Sequence, residues 1–251
     1  MSTTARALLV LTSHDDLGGV RKTGYYVGEA AHPWQVFTEA GFEVDLASVA
    51  GGVPPEDGRD ESDPAQRAFV HDTRVAAQLA NTPALADVRA EDYDIVFFVG
   101  GHGTMWDFPH SAEINRIGRT IYERGGIVSA VCHGPAALVG MTLSDGTPLV
   151  AGKRVSCFTN AEEAAVELTE IVPFLLASTL AEQGAEVIEG PTSPRPSRAM
   201  VVSSPAKTPS PPRAWPARWW PHGMSCGSAG LVPAHAMSPA RGYARIAAES
   251  A

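Results

Sequence analysis

With 251 residues, 44% of them hydrophobic, the chain is long enough to bury a full core as one or two domains. A formal net charge of −9 argues against nonspecific binding to nucleic acid or to an anionic membrane surface. No apolar run approaches the roughly 20 residues of a membrane span, and three scattered cysteines make no disulfide framework, so a reducing cytoplasm is the expected compartment.

In chain order, "RALLVLTS" (6–13) predicts a first strand rather than a signal peptide. A helix follows over 27–41, then strands over 42–49 and 93–101, with a helix over 65–81 between them. Next come a helix over 111–125, a strand over 125–132, a strand over 153–159, a long helical stretch over 160–184 and a strand over 185–190. Near-continuous apolar strands alternating with helices imply an α/β fold, with a mostly parallel sheet covered on both faces. In such sheets ligands gather at the carboxyl ends of the strands.

Composition breaks near Gly190-Pro191. Residues 191–251 hold seven basic residues against one acid, a net +6, which leaves −15 for residues 1–190. The same segment carries eleven of the twenty prolines and three of the five tryptophans. The chain therefore divides into a folded domain over 1–190 and a Pro-rich, irregular tail over 191–251.

One stretch carries chemistry on its face. In "AVCHGPAAL" (130–138) a strand runs into Cys132-His133, and Gly134-Pro135 opens a helical pattern. A strand–turn–helix elbow lifts a sulfur clear of the sheet, as the nucleophile elbow does for serine in hydrolases. It also sets the thiol at a helix N-terminus, which favours thiolate, and leaves backbone N–H groups for a developing oxyanion. A second glycine-rich strand end, "VGGHGT" (99–104), offers Gly100, Gly101 and Gly103 as backbone donors opposite Cys132. His102 reads as a turn residue of that segment. Glu29, early in the first helix, reads by itself as an ordinary surface acid. No tight spacing of His, Cys or Glu suggests a metal site.

Taken together, "TGYYVGEAAHPW", "GGHGTMWDFP", "AVCHGPAAL" and "GKRVSCFTNAEE", in this order and spacing, resemble the DJ-1/PfpI superfamily, of the class I glutamine amidotransferase-like type. The similarity covers roughly residues 6–190 and is nearest the branch of glutathione-independent glyoxalases and stress-induced heat-shock chaperones. It implies a flavodoxin-like three-layer sandwich, a homodimer and no cofactor or metal. It also implies a nucleophilic Cys132 paired with His133, a carboxyl from Glu29 close to the thiol, and a triad acid at Glu163 or its neighbour Glu162.

The reaction so implied is of the glyoxalase III or D-lactate dehydratase kind. A thiolate adds to the aldehyde of methylglyoxal, a proton moves between the two carbons, and water releases a 2-hydroxy acid. Other readings within the superfamily are a holdase chaperone or protein deglycase, and amidotransferase or peptidase chemistry. The tail departs from the family pattern. Read one base out of frame, with permitted codons, residues 199–210 spell the Asp-Gly-Arg-Leu-Val-Thr-Gly-Gln-Asn-Pro stretch that family members carry there. The tail is therefore expected to be frame-shifted, with the last strand and helix of the fold lost to it and activity impaired.

Overall fold

The computed structural model describes residues 4–188 and 200–203. In chain order the elements are β1 (Arg6–Leu11), β2 (Tyr25–Tyr26), α1 (Val27–Glu39), β3 (Glu43–Ser48), β4 (Glu56–Asp57), α2 (Pro64–His71) and α3 (Thr73–Ala80). After these come β5 (Ile95–Phe98), α4 (Thr104–Asp107), α5 (Ala112–Glu123), β6 (Ile127–Ala130) and a 3-10 turn over Gly134–Leu138. The remainder comprises β7 (Arg154–Val155), α6 (Asn160–Ala165), α7 (Leu176–Glu182), β8 (Glu186–Val187) and β9 (Met200–Ser203).

The main sheet runs β3-β1-β5-β6-β9. Its first four strands are parallel. Both faces are covered, which the alternation along β1 shows directly. Leu8 and Val10 join the cluster under α5 and α7, whereas Ala7, Leu9 and Leu11 join the one packed with α1, α2 and α3. All five side chains are fully buried. A strand wrapped on both faces needs an unbroken apolar run, and that is the pattern of residues 7–11. Among the described residues no helix is long and apolar enough to cross a membrane.

Several expectations need correction. The helix over 65–81 is two helices, because Asp72 stops α2 and its side chain caps α3 by accepting from the N–H groups of Arg74 and Val75. The long stretch over 160–184 divides into α6 and α7. The strands expected over 153–159 and 185–190 shrink to β7 and β8, which pair with each other outside the main sheet.

The tail is not irregular throughout. Met200–Ser203 pairs antiparallel with β6, from Ile127↔Ser203 to Ala130↔Met200, so the sheet keeps a strand at that edge. Pairing uses backbone groups alone, and a Met-Val-Val-Ser run has the β-branched content that a strand tolerates well. The rest of the tail, residues 191–199 and 204–251, lies outside the described residues, and with it the expectation of a shifted frame and a lost last helix.

Candidate active site

Cys132 follows β6 by two residues and has φ +57°, one of three non-glycine residues in the left-handed region among the described residues. Such a conformation costs about 1–3 kcal/mol and persists only where neighbours enforce it. Here the Cys132 carbonyl accepts from the Phe158 N–H at 2.9 Å, and the Gly134 N–H closes the turn on the Val131 carbonyl at 2.7 Å. Gly134 must be glycine, since a Cβ there would run into the Phe98 carbonyl of the adjacent strand. The turn beyond is a five-residue 3-10 segment rather than the expected α-helix, so what the thiol meets is individual backbone N–H groups and not the end of a long helix.

What surrounds the sulfur is a set of discrete partners. His133 Nδ1 lies 3.3 Å from Sγ. The N–H groups of His133 and Gly101 point at Sγ and pull its pKa down, but burial, the Glu29 charge and a hydrogen bond to Glu29 push it well above the ordinary thiol value. A hydrogen bond thus joins Sγ to the Glu29 carboxyl. Glu29 is no surface acid: it lies buried in the first turn of α1. Gly100 makes that possible, because a side chain there would occupy the position of Glu29 Oε2 and press on the Cys132 Cβ at 2.8 Å. Of the three glycines expected to donate, Gly101 faces the sulfur. Gly103 instead faces the loop after β1, where a Cβ would meet the His14 carbonyl at 2.6 Å.

On the far side of His133, Nε2 lies 2.9 Å from Glu163 Oε2. A carboxylate can only accept here, which assigns the proton to Nε2 and leaves Nδ1 as the acceptor facing sulfur. Burial lowers the His133 pKa to about 4, so the imidazole is neutral near pH 7. Burial would raise Glu163, but hydrogen bonds from His102 and His133 outweigh it and hold the group at about 2. Glu162, one residue away, does different work. It closes a capping box on α6, accepting from the N–H and hydroxyl of Thr159 at 2.8 Å each.

His102, expected to be a turn residue, enters the site. Its Nε2 lies 3.2 Å from Glu163 Oε1, and its ring lies 4.0 Å from that of His133. Sequence offers one clue to this: His102 follows the two glycines that end a buried strand. Only the fold brings it 61 positions forward to Glu163. Ligating atoms of His102, His133 and Glu163 lie within 4.8 Å of one another, the kind of set that could bind a divalent ion. Each is also hydrogen-bonded to another member, through Glu163, so the same trio links its protons.

These positions predict opposite outcomes for adjacent acids. Glu163→Gln leaves His133 without an ionised acceptor and is expected to slow turnover by roughly 10- to 100-fold, the usual cost of losing an orienting partner. Glu162→Gln keeps a capping side chain and is expected to cost at most about 1 kcal/mol of stability, with turnover retained. Steady-state rates and melting temperatures of both variants check this; a larger rate loss in Glu162→Gln would refute it.

The whole constellation of elbow cysteine, adjoining histidine and helix-borne glutamate falls inside a segment, residues 22–171, that matches the model of the DJ-1/PfpI family. The chain belongs to the DJ-1/PfpI family. Among curated relatives, it is 37% identical over 202 residues to Glyoxalase 3 of Candida albicans, covering 73% of this chain and 83% of the relative. It is 36% identical over 179 residues to the glutathione-independent glyoxalase HSP31 of Saccharomyces cerevisiae, covering 66% and 74%. Among solved structures, the Rapid Encystment Protein of Francisella tularensis superposes with a TM-score of 0.72 at 36% identity, covering 75% of this chain and 85% of that one. Crystalline glyoxalase III from Candida albicans gives 0.70 at 33% identity, covering 76% and 85%. These DJ-1/PfpI relatives share the α/β architecture described above.

Proposed function

We propose that this DJ-1/PfpI protein is a glutathione-independent glyoxalase that converts methylglyoxal and related α-oxoaldehydes to 2-hydroxy acids. The observation that carries the reading is the surroundings of Sγ: two proton acceptors, Glu29 and His133 Nδ1, and two backbone donors, from Gly101 and His133. A small aldehyde needs that set, and relatives bearing the glyoxalase name support it.

In this reading the sulfur adds to the aldehyde carbon while the thiol proton passes to Glu29. The new alkoxide takes hydrogen bonds from the Gly101 N–H and then the proton from Glu29, giving a hemithioacetal. His133 Nδ1 removes the remaining hydrogen of that carbon as a proton, and the electron pair forms an enediolate with the neighbouring ketone carbon, its charge on the former ketone oxygen. His133 returns that proton to the second carbon while Glu29 carries the hydroxyl proton of the first carbon to the oxygen of the second, which gives a lactoyl thioester. Water then breaks the carbon–sulfur bond, leaving lactate and the thiol.

Purified protein is expected to form lactate from methylglyoxal with no glutathione present. No lactate above the uncatalysed rate, under conditions where the protein is folded, would overturn the proposal.

A further inference from the structure

Glu163 holds one histidine more than a triad needs. Glu163 is 3% exposed, with Oε2 taken by His133 and Oε1 by His102. Buried carboxylate oxygens carry a heavy desolvation cost unless each is hydrogen-bonded. The charge on Glu163 is what keeps the His133 proton on Nε2 and the Nδ1 lone pair turned to sulfur. If the Oε1 partner were removed, the carboxyl would be free to rotate or to protonate, and His133 would lose its fixed tautomer.

We propose that His102 is a positioning residue that clamps Glu163 through Oε1 and thereby sets the tautomer and basicity of His133. His102 never touches the sulfur; it acts through the acid. Packing suits the role. Phe158 lies 4.2 Å from the His133 ring and 6.0 Å from that of His102, restricting both imidazoles to the planes in which they meet the carboxylate. The His102 side chain is 15% exposed, so most of its ring is held within the fold. The titratable and charged groups facing this network are Cys132 and Glu29 on the sulfur side and Glu162 on α6, besides the three members themselves.

The catalytic consequence rests on the glyoxalase reading, but the clamp itself is measurable without turnover. Imidazole 15N shifts of His133 near neutral pH are expected to report one Nε2–H tautomer in the wild type. His102→Ala should give a mixture of tautomers, and His102→Gln, which can still donate to Oε1, should restore the single form. In lactate assays His102→Ala should lower kcat roughly 10- to 100-fold with little change in KM. The acid limb of its pH profile should move to higher pH, because Glu163 and His133 both protonate more easily without the clamp. His102→Gln should recover most of kcat. A wild-type tautomer and acid limb in His102→Ala, or a His102→Gln variant as impaired as the alanine one, overturns the proposal. If the wild type makes no lactate, the glyoxalase reading fails, and the tautomer measurement alone decides the clamp.

Discussion

Cys132→Ala is expected to abolish lactate formation, by more than about 10⁴-fold, because losing a covalent nucleophile removes the reaction path rather than a stabilising contact. The fold should survive. Alanine tolerates the positive φ no worse than cysteine does, and the backbone bonds from Phe158 and Gly134 that enforce the turn do not involve the sulfur. Cys157 supplies the internal control. It is 8% exposed, as is Cys132, so burial alone cannot distinguish the two. Cys132 has Glu29, His133 Nδ1 and the N–H groups of His133 and Gly101 gathered on its sulfur. Cys157→Ala should therefore retain turnover. Rates and melting curves for both variants test this, and residual activity in Cys132→Ala beyond the stated limit would sink the assignment.

Glu29→Gln is expected to move two measurements in opposite directions. Turnover should fall by roughly 10²–10⁴-fold, the usual contribution of a positioned acid–base group. Alkylation of Cys132 should nevertheless become faster. The thiol pKa lies above its ordinary value because of burial first, the Glu29 charge second and the hydrogen bond to Glu29 third. Removing the charge lowers the pKa, so the thiolate appears at lower pH and the rate–pH curve for iodoacetamide shifts down the pH axis. Slower labelling in Glu29→Gln at neutral pH would show that Glu29 activates the resting thiol rather than holding its proton.

The buried half of this architecture was legible because it is written in hydrophobic continuity. Residues 7–11 and 95–98 are apolar runs, and 127–130 is one interrupted only by Ser129; each forms a strand of the main sheet. What failed was set by local capping and by pairing between distant segments. Asp72 looks like any acid within a helical pattern, yet its side chain ends one helix and starts another. The runs over 153–159 and 185–190 have strand composition, and their removal from the main sheet follows only from which neighbours they meet. In the site, Cys132 and His133 stand out because turn chemistry marks them. Glu29 and Glu163 rest on the family resemblance, since a lone glutamate carries no local sign of being buried. The choice of Glu163 over Glu162 needs the phase of α6: Thr159 and Glu162 cap each other, which turns the next side chain toward His133.

The pairing of β9 with β6 has a practical consequence for anyone shortening this protein. A deletion made where the composition changes, at residue 190, would remove the outer neighbour of the strand that leads into the nucleophile. Backbone donors and acceptors along Ile127–Ala130 would then line an open sheet margin, a template on which a second molecule can add its own strand. Shortened chains should accordingly elute as larger species in size-exclusion runs than chains ending beyond Ser203. A segment that looks dispensable by composition would in that case cover the edge of the strand that leads to the nucleophile.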